Sequence, residues 1–315
     1  MGFGGTGRFV VIVALATTAT IVHAAPPESV PLACRAQVTN ALRCLEPMFA
    51  GKARRVQASN PGSIELAIAS YAPPRLHAVE EGTLPALHPG ARCPSEMANV
   101  GSRFCVDKWE GTLVARLADG TIKPHSPFLT PRPEEGTVYL ARSAPNVVPQ
   151  GYISAEQAQS ACRAAGKRLC QAVEWRAACG GSEGFAYPYG AARVPAKCHD
   201  SGATPMLTFH ADSMKRGWGA PELNDTRNNQ LDGGLAKTGA FPDCVTDQGA
   251  FDMVGNLHEW TADPNGTFQG GYWLDTSQHG DGCAYRTIAH AFDYHDYSTG
   301  FRCCADPTTP AAAAP

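Results

Sequence analysis

The sequence predicts a loop-rich α+β fold stapled by disulfides, on three observations. Gly and Pro are abundant, 32 and 25 in 315 residues, while helical periodicity is scarce, so much of the chain must be turn and loop. The chain holds twelve cysteines, an even number. It begins with Arg8, the apolar run Phe9 to Val22 and small residues around Ala24, the three regions of an export signal. An even cysteine count in an exported chain indicates structural disulfides rather than reactive thiols.

The leader is assigned to residues 1–24, with cleavage near Ala24 or Ala25. A membrane anchor is the competing reading, but the run is short of the roughly 20 residues that spanning requires. No other stretch is long and apolar enough to span, so the mature chain is expected to be secreted or periplasmic, without a membrane span. Its net charge of −3 has both signs interspersed and no basic run, which excludes nucleic acid as the expected partner. The mature length suits one main domain, expected as a monomer.

Residues 25–90 are expected to form an extension and linker, with a short helix around Ile64 to Ala69 and turns at Pro73, Pro74, Pro85 and Pro89. Cys34 and Cys44 most simply pair with each other. Cys93 and Cys105 bracket PSEMANVGSRF and lead into VDKWEGTL, whose alternation predicts a strand entering the core. In SAEQAQSACRAAG, Ser154 and Gln157 form a capping box. Ala155, Ala158, Cys162 and Ala165 share one helical face, and Gly166 stops the helix. A second helix, QAVEWRAAC, ends at Gly180 and Gly181. Residues 186–241 are rich in Gly, Asn and Asp and are expected to be ordered loop, held by cations or disulfides. The main domain is placed at 91–307, followed by a low-complexity, disordered tail at 308–315.

The series GKRLCQAVEWRAACGG, YPYG, FDMVGNLHEW, GGYW and TGFRC resembles the formylglycine-generating enzyme (sulfatase-modifying factor) family in order and spacing. The likeness runs from about Cys93 to Ala305 and implies that family's C-type-lectin-like scaffold. Single pieces such as YPYG are weak signals; five in order are specific.

In FDMVGNLHEW, Asp252 and Glu259 supply hard carboxylate oxygens, and the turn lets the carbonyls of Gly255 and Leu257 converge, which suits structural calcium. The resemblance implies calcium at these four positions; a capped turn with a solvated glutamate is the alternative. A second, weaker calcium set implied by the family falls on Asn224, Asp232 and the carbonyl of Gly234, where a merely polar loop is the competing reading.

The resemblance also implies disulfides from Cys162 to Cys303 and from Cys179 to Cys283. Proximity and elimination then suggest Cys93 with Cys105, Cys198 with Cys244, and Cys170 with Cys304.

The family's oxidase chemistry uses two further cysteines, whose thiolates hold copper(I) and the substrate thiol. Here that interval, GGYWLDTSQHGDG, contains no cysteine; Trp273, Asp275, Gln278 or Gly280 stand at those positions. Cys283 matches the family's structural cysteine better than a catalytic survivor. The family's RGGS is QGGY here, with Gln269 and Tyr272, and His258 replaces a tryptophan.

His258, His279, His290 and His295 gather near the C-terminus with Asp275, Asp293, Asp296, Tyr294 and Tyr297. Imidazole and carboxylate could hold zinc, copper(II) or non-haem iron, yet no tight ligand motif is present, and hydrogen-bonded structural histidines explain the same residues. The candidate catalytic residues are therefore His258, His290, His295 and Cys283. Tyr272, Trp273, Gln278 and Tyr294 are the candidates for a contact surface, or are ordinary core and rim.

Three functions follow. One is a calcium-stabilised binding module or pseudoenzyme with a protein, peptide or glycan ligand. The second is a formylglycine-generating oxidase acting on a cysteine of a sulfatase-like client, which needs a free thiol. The third is a histidine-dependent copper or iron enzyme.

Overall fold

The computed structural model describes residues 82–132 and 134–308, and the backbone of two short strands, β1 (Val13–Leu15) and β2 (Thr18–Thr20), which pair antiparallel. Apart from these strands, the leader lies outside the described residues, as do Cys34, Cys44, the helix expected at Ile64 to Ala69 and the tail beyond Thr308. The chain divides into two units, Met1–Val79 and Glu80–Pro315. The second carries everything that follows.

That unit mixes three small sheets with short helices. One sheet has the order β3 (Met97–Val100), β4 (Phe104–Asp107), β13 (Cys303–Ala305), β8 (Arg168–Leu169). A second has β6 (Ile122–Pro124), β5 (Gly111–Arg116), β7 (Val138–Ser143). The third, which positions the site, has β11 (Arg286–Thr287), β10 (Phe268–Gln269), β9 (His258–Trp260), β12 (Thr299–Phe301). The last pair, β12 with β9, is parallel.

The segment VDKWEGTL is not one strand. It splits between β4 and β5, in different sheets, with Lys108–Glu110 between them. The break turns Glu110 inward, where its carboxylate accepts from Leu257 N–H at 3.2 Å and Asn256 Nδ2 at 2.5 Å. These bonds fix a junction that period-two alternation alone does not signal.

Helix α1 (Ala155–Ala164) begins as its sequence requires. The Ser154 hydroxyl accepts from Gln157 N–H at 3.3 Å, and Gln157 Oε1 accepts from Ser154 N–H at 2.9 Å, so two otherwise unpaired amides are satisfied reciprocally. It buries Ala155, Ala158, Ala161 and Cys162; Ala165, expected on that face, is the half-buried C-cap residue. Helix α2 (Ala172–Gly180) buries Trp175 and stops before Gly181, whose φ of 64° is costly for a side-chain-bearing residue. The 186–241 region is mostly loop, as expected, but also contains α3 (Pro205–Phe209), α4 (Ala211–Arg216) and α5 (Ala220–Leu223). Proline within the first two positions opens α3 and α5, where its missing N–H costs nothing.

All ten described cysteines are paired: Cys93–Cys105, Cys162–Cys303, Cys170–Cys304, Cys179–Cys283 and Cys198–Cys244. These are the pairs suggested by the resemblance and by elimination. Cys162–Cys303 lies in the core formed by α1, Leu113, Ile153, Trp260 and Phe301; Cys170, Cys304, Cys179 and Cys283 lie in the one around Phe104, Trp175 and Met253. No helix among the described residues is long and apolar enough to cross a membrane.

Candidate functional site

Strand β9 divides the site, because successive side chains point to opposite faces of a sheet. His258 and Trp260 share one face, while Glu259 lies on the other with Gln269, its cross-strand partner on β10.

On the Glu259 face, charge is concentrated in the core. Glu259 accepts from Arg302 Nε and Nη2, both at 2.6 Å, and from Trp175 Nε1 at 2.6 Å. Arg302 also donates to the carbonyls of Asp107 at 3.1 Å and Phe251 at 2.9 Å. Gln269 Nε2 donates to Ala172 O at 3.0 Å, so the residue standing for the family's arginine is anchored to α2. Asp252 Oδ2 accepts from Gly239 N–H at 2.6 Å. Burial, then the charges of Asp252 and Glu259, hold the Glu110 carboxyl well above its ordinary range. Burial pushes Asp252 up to about 6. The turn between Asp252 and Glu259 is tight. Gly255 has φ of 82°, and a Cβ there would lie 2.1 Å from the His199 carbonyl oxygen; Asn256 Oδ1 accepts from Ala236 N–H at 2.9 Å.

This is the loop at which calcium was expected, and the donors it carries are hard oxygens. Asp252, Glu259 and the neighbouring Glu110 are three buried carboxylates facing one buried guanidinium, Arg302. Glu259 is at the same time engaged by Arg302 on both oxygens, so any ion would share it. At the second set, Asn224 Oδ1 is buried without a hydrogen-bond partner among the described residues, while the Gly234 carbonyl accepts from His199 Nε2 at 2.5 Å and Asp232 is exposed. Asn224 alone of the three offers an uncommitted buried oxygen. Among the described residues, no group of three or more His, Cys, Asp or Glu side chains is arranged to hold a metal ion.

The other face carries the histidines. His258 is packed by Phe268, Tyr272 and Tyr285 at ring-centre distances of 4.7, 4.9 and 5.5 Å. Burial, with smaller contributions from His290 and His279, pulls its pKa down to about 3. His290 stacks on Phe268 at 4.0 Å, and burial lowers its pKa as well. The structure thus brings His258 and His290 together around Phe268. His279 packs edge-on against Tyr285 at 5.6 Å. His295 is tied in through its backbone, its carbonyl accepting from Asn224 Nδ2 at 3.2 Å. Cys283, the fourth catalytic candidate, is bonded to Cys179.

The contact-surface candidates separate. Trp273 is fully buried with its indole N–H on the Ala203 carbonyl at 2.9 Å, so it is core. Tyr272 and Tyr294 are half-buried and Gln278 is exposed. Tyr294 donates to Asp296 Oδ2 at 2.5 Å and Tyr285 to Asp275 Oδ2 at 2.9 Å.

Sequence reasoning missed Glu110, Arg302, Phe268 and Thr287. Arg302 carried a signal, a charge between Phe301 and Cys303 in TGFRC, where burial requires a partner; Glu110, close to Asp107 and Lys108 in VDKWEGTL, carried none. Nothing local marks Phe268 or Thr287; their cross-strand pairing brings them together.

Comparison with solved structures finds low likeness. The Major Tropism Determinant P3c variant is 15% identical over 70% of this chain and 55% of its own, with a TM-score of 0.37. The U1 variant is 14% identical over 71% and 55%, with a TM-score of 0.38. The crystal structure of CarF is 19% identical over 62% and 57%, with a TM-score of 0.27. The chain therefore spans little more than half the length of the proteins it matches. The model of the sulfatase-modifying factor enzyme 1-like domain matches residues 119–307, more than half of the chain and all of the motifs from α2 to β13. On that match, with those motifs carried by one disulfide-stapled α+β unit, the chain belongs to the sulfatase-modifying factor enzyme 1-like family.

Proposed function

We propose that this family member is an exported, calcium-stabilised binding module that does not generate formylglycine. The observation that carries this reading is the Cys179–Cys283 bridge. Copper(I) chemistry on a substrate thiol needs soft thiolate ligands. The interval Gly270 to Gly282 has no cysteine, and the cysteine that follows it is bonded.

The proposed calcium ligands are Asp252, Glu259 and the carbonyls of Gly255 and Leu257, with Asn224, Asp232 and Gly234 as a weaker second set. The excess of buried carboxylate over buried cation around Arg302 supports the first set. Calcium there would hold the 252–259 turn and, through Glu110, the junction of β4 with β5. The five disulfides support an oxidising compartment, secreted or periplasmic.

Mass spectrometry of non-reduced peptides, with metal analysis of the purified chain, tests the reading. The expected result is intact bridges, no free thiol and calcium as the bound metal. A free cysteine pair that binds copper(I), with oxygen uptake on a cysteine-containing peptide, would establish the oxidase instead. Stoichiometric iron or copper without free thiols would establish the histidine enzyme.

A further inference from the structure

We infer that the bond from Arg216 to Gly217 is a processing site for trypsin-like serine proteases, whose cut converts the domain into a two-chain form held by four disulfides. The step is a hydrolysis. Water adds across the peptide bond, leaving a carboxylate on Arg216 and an amine on Gly217.

Lys215 and Arg216 are the last residues of α4, and Gly217 and Trp218 follow. All four are exposed, as is Met214 before them, and Trp218 is 52% exposed. The helix buries none of its residues. What holds it is slight. Met214 N–H donates to the His210 carbonyl, the Ser213 side chain bonds Glu222, and Lys215 meets Asp212 at 3.4 Å with both side chains 76% exposed. An exposed pair of this kind adds little, and a helix of six residues without a packed face is marginal in water. Gly217, at φ 111° and ψ 139°, has already left the helix. A protease binds its substrate as extended chain, so it cuts where local opening costs least, in exposed segments with few buried contacts.

The two basic side chains select the protease class, since the specificity pocket of trypsin-like enzymes holds a carboxylate. Competing bonds are better held. Arg116, Lys123 and Arg142 lie in the ladders of the second sheet, and Arg163 lies in α1, whose other face is in the core. Arg227 is bonded to Asp225 and lies over the Phe209 ring at 5.0 Å. Arg132 is followed by proline, whose ring and missing N–H obstruct the scissile bond.

The disulfides decide what the cut does. Cys162–Cys303, Cys170–Cys304, Cys179–Cys283 and Cys198–Cys244 each join a cysteine before Arg216 to one after it. The fragment carrying α1 and α2 therefore stays linked to the fragment carrying β9 to β13, and both cores remain crosslinked.

The test is limited digestion of the full chain with trypsin, read by gels with and without reductant, by N-terminal sequencing and by thermal unfolding. Cuts before Gly82 are scored apart. Within residues 82–308 the first new N-terminus is expected at Gly217, formed about tenfold faster than any other. Without reductant the nicked domain should run as one species and unfold at the midpoint of the intact chain; with reductant, a fragment beginning at Gly217 should separate. In the double variant Lys215→Gln, Arg216→Gln, with an unchanged midpoint as the sign that it folds, the intact domain should survive digestion about tenfold longer. A first cut elsewhere in the domain, fragments that separate without reductant, unfolding on nicking, or a folded double variant digested as fast as wild type would overturn the inference.

Discussion

Arg302 grips Glu259 with two parallel bonds of 2.6 Å, and both side chains are buried. Glu110 and Asp252 lie close enough for their carboxylates to act on the same guanidinium. The arginine is thus the cation that makes a buried acidic cluster tolerable, and it also ties β4, through the Asp107 carbonyl, to the loop at Phe251.

Replacing Arg302 by Met should be among the most damaging single changes in the domain. Removing one partner of a buried pair leaves an uncompensated charge, at a cost of about 3–5 kcal/mol. Lysine should restore only part of this, since it cannot reproduce the bidentate geometry. Urea unfolding of the calcium-saturated variants checks the order wild type, Lys, Met; a Met variant as stable as wild type would refute the role given to the pair.

The two bridges to β13 overlap in what they constrain. With Cys162–Cys303 intact, Cys170–Cys304 closes a ring of only about ten residues, although its separation along the chain is 134. Loop entropy then gives about 3 kcal/mol for removing either bridge as an Ala pair, and about 4 kcal/mol for the second once the first is gone. A double-mutant cycle built from the two paired deletions measures the difference. Strict additivity would show that the unfolded chain does not follow this ring-closure model.

How much was legible in the sequence depends on whether the determinant is local. The capping box of Ser154 and Gln157, the stop at Gly181 and the order of the family motifs are contiguous patterns, and the structure has them. The resemblance carried two of the disulfide pairings. The division of VDKWEGTL between two sheets was not legible, because Glu110 is held by Asn256 and Leu257, more than 140 residues away. Whether Trp273 was a contact residue or core stayed open in the sequence and is settled as core by the fold, since its indole partner, the Ala203 carbonyl, is 70 residues distant. The histidines were legible as a group but not as an arrangement. Phe268, which gathers two of them, lies on a two-residue strand with no periodicity to detect.

His258 should make stability depend on pH in a defined window. Its pKa is about 3 in the folded chain, lowered first by burial, against 6.5 for an exposed imidazole. Between these values the unfolded chain binds a proton that the folded chain does not. The contribution is therefore complete above pH 6.5 and is lost as pH falls through the window, with a slope approaching about 1.4 kcal/mol per unit. His258→Phe should flatten the curve between pH 6.5 and 4 relative to wild type. Parallel curves from denaturant titrations at each pH would show that the imidazole is not held neutral.

Calcium should stabilise the fold by mass action, and the response should be lost in one conservative variant. An ion that binds only the folded chain adds about 2.7 kcal/mol at one hundred times its dissociation constant. Removing calcium with a chelator should lower the thermal midpoint, and adding it back should restore it; magnesium should substitute poorly, because it demands a tighter octahedral shell. Asp252→Asn keeps an acceptor for Gly239 N–H but removes one of the carboxylate charges acting on Glu110. The variant should therefore lose most of the calcium response while its calcium-free form is no less stable than calcium-free wild type. A variant that still responds fully would move the ion away from the 252–259 turn. A wild-type chain indifferent to calcium would mean that Arg302 alone balances the carboxylates, with the protons held by Glu110 and Asp252 accounting for the remaining charge.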